Sequence, residues 1–206
     1  FFKSESKLND YEVLTSRLID RALRPLFPED YLCDVQVLVT LVSSDPEVMP
    51  DALACLAASA ALAVSDVPIQ EIISEARVAR INGQFVVNPL RSELATADMD
   101  FLIAATEKNI MMVEGEAKEC LEEDLIKAIE LAHDAIRIQV KAQEELRALK
   151  GVTAKREYTK PVHNEELRAK VTAFASDKVL AVAKSALAKH DRSDKFDAIG
   201  KELMEY

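Results

Sequence analysis

Glycine is scarce in this sequence, with four in 206 residues. That excludes collagen-like repeats and leaves no glycine-rich loop to cradle a phosphate on backbone N–H groups. Seven prolines without a period exclude low-complexity character. Long hydrophobic runs are missing as well. The longest nearly uncharged stretch, 52–64, is 13 residues and rich in Ala, too short to cross a bilayer and readable as a buried helix. The three cysteines, Cys33, Cys55 and Cys120, are odd in number and far apart. They fit neither a disulfide framework nor a zinc site, so they read as small buried hydrophobes in a reducing compartment. No secretory signal is visible. The sequence opens on Phe1 rather than Met, and the expectation is that further chain lies upstream.

What remains is ordinary for a globular protein: 49% apolar and 30% charged residues, enough chain for one large domain or two small ones with a real core. The net charge of −10 is unevenly spread. Residues 31–145 carry 8 basic and 21 acidic side chains, whereas 146–206 carry 13 basic and 9 acidic. A protein that coats itself in nucleic acid is basic throughout. Any anion site here must be a local cluster.

The pattern reads as α+β followed by a helical unit. Asn9 or Asp10 caps a helix that carries Glu12 in its first turn and stops at Arg24, before Pro25. Residues 34–42 (DVQVLVTLV) are β-branched and apolar, which predicts a buried strand. Pro50 and Asp51 open a helix to about Val64. ARVARI and QFVV flank Asn82-Gly83, a type I′ hairpin signal. FLIAAT and IMMVEG flank 107–109 as a second hairpin, with a helical turn over 91–97 between the two. Leu125, Ile129, Ala132, Ile136 and Val140 recur at helical spacing within 122–149. Residues 151–161 read as a linker, and 164–189 and 193–206 as two helices.

The strongest chemical cluster is SRLIDRALRPLF, residues 16–27. Arg17, Arg21 and Arg24 stand at i, i+4 and i+7 and cover roughly 60° of one helix face. Leu14, Leu18 and Ala22 form the adjoining stripe. Asp20 can offset Arg24 but not all three arginines, and guanidinium forks suit phosphate. An anion facing the stripe would explain it; a solvated basic face with intrahelical ion pairs is the alternative. Phe1, Phe2 and Lys3 combine two aromatics and a cation, as a single-strand stacking platform does, although two Phe are also ordinary core residues.

Other signals are weaker. Arg77 and Arg80 have odd spacing, so they face opposite sides of one strand, and a surface ion pair is the default for each. His133, His163 and His190 are scattered with no partner at triad or metal spacing. The acidic run Glu114, Glu116, Glu119, Glu122, Glu123 and Asp124 lacks the pattern of a calcium loop and reads as a helix N-terminus that tolerates acids.

Taken together, FFKS at 1–4, LTSRLIDRALRPLFPEDY at 14–31, PDALACLAASAALAVSDVP at 50–68, EARVARINGQFVVNP at 75–89 and MMVEGEAKE at 111–119 resemble the polynucleotide phosphorylase family, in order along nearly the whole chain. The resemblance implies an internal piece. Residues 1–150 would be a first RNase PH-like core domain without its N-terminal strands, an α+β fold with a mixed or antiparallel sheet. A linker would follow at 151–161, then a small all-α domain at 162–206. The implied activity is phosphate-dependent 3′→5′ exoribonuclease cleavage to nucleoside diphosphates, reversible to add RNA tails. It would belong to a cytoplasmic homotrimer that uses Mg2+ and inorganic phosphate, acts on single-stranded RNA, has no membrane association and can join an RNA-degradation complex. By the same resemblance Phe1, Phe2, Lys3, Arg17, Arg21, Arg24 and Arg77 fall on RNA- or anion-binding positions. Catalysis and the metal belong to a second core domain, so no catalytic or metal residue is expected here and the piece alone should be inactive. Two places depart from the family pattern: Ser4 stands where a second Arg is usual, and 69–72 (IQEI) where Phe-Asn-Gly-Pro is usual. The alternative reading is a module that only assembles the trimer, its arginine stripe pairing with acids such as those of 114–124 on a neighbouring subunit.

Overall fold

The computed structural model describes residues 7–152 and 154–206. Phe1, Phe2, Lys3 and Ser4 lie outside the described residues. The chain divides into two compact units that meet between Thr159 and Lys160.

The first unit is built on an antiparallel sheet. Helix α1 (Asp10–Leu23) begins with a reciprocal cap: the Asn9 side chain accepts from the Glu12 N–H at 2.8 Å, and the Glu12 carboxylate accepts from the Asn9 N–H at 2.7 Å. Pro25 turns its end into a single 3₁₀ turn, Arg24–Leu26. Helix α2 (Asp51–Val64) is mostly Ala, which lets it lie close to its neighbours; Cys55, Ala58 and Ala63 are all but fully buried. Strands β1 (Ser74–Ile81) and β2 (Gln84–Val87) turn through Asn82 and Gly83, whose φ values of 51° and 78° are those of a type I′ turn. After the short helix α3 (Arg91–Leu94), β3 (Ala97–Ala105) and β4 (Ile110–Ala117) complete the order β2-β1-β3-β4. Helix α4 (Glu122–Lys150) closes the unit and ends at Gly151 in the left-handed region.

Strand alternation splits the core in two. Ile73, Leu102, Ala104 and Met112 meet α1 and α2, while Ala76, Val78, Ile103 and Ala105 meet α4 through Ala128, Ala132, Ile136 and Val140. The stretch 154–159 returns to the end of α2. There the Lys155 ammonium donates to the carbonyls of Leu62, Ala63 and Ser65 at 2.8–3.3 Å, satisfying acceptors a helix end leaves open.

The second unit is a helix pair, α5 (Glu165–Ala183) and α6 (Lys189–Glu205). Lys178 lies 4.0 Å from the Phe174 ring centroid and pairs with Glu202, and Phe174 meets Tyr206. Neither helix buries a residue.

Three expectations need correcting. Residues 34–42 form no strand: they run without regular structure and are exposed. β-Propensity expresses packing and ladder partners more than backbone preference, and no described strand pairs with this segment. The helix expected over 164–189 ends at Ala183, because Ala186 takes a φ of 48° that a right-handed helix cannot continue, and α6 starts at Lys189, earlier than 193. The cysteines are not uniformly buried. Cys55 is, but Cys120 is half-buried and Cys33, which follows the exposed Leu32, is exposed.

Candidate nucleic-acid interface

The arginine row runs along α1 beside the stripe that buries Leu18 and Ala22. Its three members are in different states. Arg24 makes a bidentate pair with Asp20 one turn earlier, at 2.7 Å, with its side chain 75% exposed. Arg21 reaches β4 and donates to Glu114 at 2.5 Å, its side chain 52% exposed. Arg17 is exposed and makes no ion pair or side-chain hydrogen bond among the described residues. The row is therefore less uncompensated than its spacing suggests, since β4 of the same chain supplies an acid that helix geometry alone does not reveal. Exposed pairs of this kind contribute about 0–1 kcal/mol, so a phosphate oxygen can replace either carboxylate at little cost.

Arg77 is set differently. It lies on the sheet face toward α1 and α2, its side chain only 15% exposed. Its guanidinium pairs with Asp51, at the start of α2, and donates to both oxygens of Asp100 on β3 at 2.7 Å. The backbone is clamped as well: Asn88 N–H donates to the Arg77 carbonyl at 2.7 Å, and the Arg77 N–H donates to the Asn88 side chain at 3.0 Å. Burial works against the charge of Arg77, but Asp51 and Asp100 outweigh it and hold the group above its ordinary range. Arg80 points to the other face, toward Asp98 and toward Asp124 in the first turn of α4, as the odd spacing requires. Both arginines are largely buried in their pairs, where surface pairing was the sequence expectation.

Two residues from Arg77 on the same face is Glu75, 1% exposed. Burial pushes its carboxyl up to about 8, with the Asp51 charge adding to the shift; the Cys55 thiol, Arg21 and Arg77 work in the opposite sense. Burial likewise pushes the Cys55 thiol up, so it stays protonated. Sequence reading missed this group. Its signal was the Glu-x-Arg spacing of 75 and 77, which places both on one strand face; Asp51 and Asp100 become its neighbours only through the β1–β3 register and the seat of α2.

The other expected residues are dispersed. The acids of 114–124 divide between β4, which holds Glu114 and Glu116, and the first turn of α4, which holds Glu122, Glu123 and Asp124. His133 is half-buried, its Nε2 3.0 Å from the Thr106 carbonyl oxygen. Among the described residues no three His, Cys, Asp or Glu side chains converge as metal ligands. No helix among the described residues is long and apolar enough to cross a membrane.

Most of this chain also matches a known family by sequence. The 3′ exoribonuclease family matches through its domain 1 over residues 1–68 and its domain 2 over residues 71–135. The chain belongs to the 3′ exoribonuclease family, and its α+β fold is that of the RNase PH domains. More narrowly, it is similar to proteins named polyribonucleotide nucleotidyltransferase. It is 50% identical to that of Christiangramia forsetii and 54% to that of Parabacteroides distasonis, covering 98% of this chain and 27% of each relative. It is 55% identical to that of Phocaeicola vulgatus, covering 98% of this chain and 29% of the relative. The chain thus spans between a quarter and a third of the length of these curated relatives.

Proposed function

We propose that this chain is part of a polyribonucleotide nucleotidyltransferase that degrades RNA from its 3′ end with inorganic phosphate, releasing nucleoside diphosphates, and adds RNA tails in reverse. In this reading residues 1–150 are the first core domain, 151–161 a linker and 162–206 a helical domain. They guide single-stranded RNA and build a cytoplasmic homotrimer that can enter an RNA-degradation complex. Phosphoryl transfer and its Mg2+ belong to a second core domain.

The carrying observation is the exposed row on α1. Arg17 has no counter-charge among the described residues, and Arg21 and Arg24 hold theirs only through solvent-exposed pairs. Three such forks on one face form a local phosphate-binding strip on an acidic protein. Phe1, Phe2 and Lys3 would extend it as a stacking and steering element, and Arg77 would join from the sheet. Arg77 is the most committed of these residues, held by Asp51 and Asp100. An RNA phosphate there would have to share the guanidinium with two carboxylates.

Nucleoside-diphosphate release from a short RNA, with magnesium and with or without phosphate, tests the assignment. The full-length protein should release product only with phosphate, and the stretch 1–206 should release none. Phosphate-dependent release by the stretch alone would place a working site inside it. The second reading is a purely structural assembly module, which would pair the row with acids of a neighbouring subunit, although Glu114 of the same chain already takes Arg21. Light scattering on the Arg17, Arg21 and Arg24 variants separates the two. Loss of the trimer favours assembly, and an intact trimer with weakened RNA binding favours guidance.

A further inference from the structure

The arginines of α1 do not hold their counter-charges alike. Asp20, the partner of Arg24, stands one turn earlier on the same helix and moves with it. The partner of Arg21 comes from another element. Glu114 lies on β4 opposite Leu102 of β3, and Leu102 belongs to the core that packs on α1 and α2. The sheet therefore fixes where the Glu114 carboxylate can reach, and it reaches the middle arginine of the row at 2.5 Å. The contact is a single bond from one terminal N–H of Arg21 to one oxygen of Glu114, whereas Arg24 meets both oxygens of Asp20 through two of its nitrogens. Both side chains of the Arg21–Glu114 pair are about half exposed, so a ligand in solution can reach it. Glu116, two residues along β4, shares that face of the strand. It is exposed and makes no ion pair among the described residues.

We infer that Glu114 is a built-in competitor for phosphate at Arg21: it occupies the middle of the row until RNA displaces it, and so sets how tightly the row grips. This rests on the RNA-guiding reading of the row.

A phosphate that meets Arg21 comes beside the Glu114 carboxylate. Like charges at that range repel, and the contact is complete only when the carboxylate withdraws. An exposed pair takes little energy to break, so the competitor weakens the grip without abolishing it. Arg17, one turn earlier, has no acid to displace among the described residues. The row is thereby graded: Arg17 takes phosphate outright, and Arg21 takes it only against Glu114. A strand that advances past the protein is served by contacts that let go, and a carboxylate held beside the guanidinium retakes it as each phosphate leaves.

The test compares affinities of the full-length protein for a short single-stranded RNA at one low salt concentration. Glu114→Gln removes one charge and frees Arg21, while Glu116→Gln removes the same charge two residues away without touching Arg21. Glu114→Gln should bind about two- to fivefold tighter than Glu116→Gln. Equal or weaker binding overturns the inference, and is what a Glu114 that merely ties β4 to α1 would give, together with a lower thermal midpoint. In an Arg21→Gln background the two variants should bind alike; a difference that survives there overturns competition at Arg21. If Glu114→Gln fails to fold, Glu114→Asp keeps the charge, draws the carboxylate back by one methylene, and should still bind tighter than wild type; equal or weaker binding again overturns the inference. The underlying reading fails separately. An Arg17→Gln, Arg21→Gln, Arg24→Gln triple variant that binds RNA like wild type overturns both, whereas a weakly binding triple variant beside equal Glu114→Gln and Glu116→Gln overturns the competitor alone.

Discussion

Gly115 lies directly opposite Phe101 in the β3–β4 ladder, and the Phe101 ring fills the space a side chain at 115 would need. A Cβ there would stand 2.1 Å from the Asp100 carbonyl oxygen and 2.6 Å from Phe101 Cδ1. Gly115→Ala should therefore destabilise by at least the 1–3 kcal/mol typical of overpacking, on the order of ~3 kcal/mol, seen as a lower thermal midpoint. Because the nearest atom is backbone, shrinking the ring with Phe101→Ala should not rescue it. Rescue would place the conflict in the side chain instead.

Glu75 makes a pH prediction whose sign is fixed. Its folded carboxyl is pushed up to about 8 from the ordinary 4.5, so the folded state holds a proton that the unfolded chain has lost. Stability from this group is full below about pH 4.5 and declines as pH rises toward 8, by ~1.4 kcal/mol per unit. Glu75→Gln removes that slope. The variant should be the more stable protein at pH 8 and nearly equal to wild type at pH 4.5. A difference that does not vary with pH would contradict the assignment.

Arg77 and Arg17 should behave as opposites. Arg77→Ala leaves Asp51 buried and unpaired and takes the same partner from the half-buried Asp100, at a cost of about 3–5 kcal/mol, so any loss of RNA binding there will be mixed with loss of fold. Arg17→Ala removes a side chain with no ion pair among the described residues and should leave the stability within about 0.5 kcal/mol of wild type. Melting curves of the two variants check this directly.

Lys155 spends its ammonium on three carbonyls at the end of α2. Lys155→Met keeps the stem and loses the donors, for about 1–3 kcal/mol. An unchanged thermal midpoint would mean water serves those carbonyls equally well.

Helices and hairpins were legible because their causes are local. Asn9 and Glu12 cap α1, Pro25 ends it, Asn82-Gly83 sets the first turn, and the apolar spacing of 125–140 marks α4. Residues 34–42 misled because a strand's evidence lies in its partner, and an apolar run reads the same with or without one. The arginine row was legible as a spacing, but its pairing was not: Glu114 is 93 positions from Arg21 and meets it only after β4 docks beside α1. For the same reason the Arg77 group was seen as one arginine and not as a buried cluster. Asp51, Glu75 and Asp100 come from three elements, and only their packing makes them one.

The central claim is that the exposed face of α1 binds the phosphates of single-stranded RNA. The most direct test measures affinity of the full-length protein for a short single-stranded RNA across a salt series, for wild type and for the Arg17→Gln, Arg21→Gln, Arg24→Gln triple variant. If the row binds phosphate, the slope of log affinity against log salt should become shallower by about 0.7 for each phosphate contact removed, with the oligomer intact by light scattering. An unchanged slope in an intact oligomer would contradict the claim.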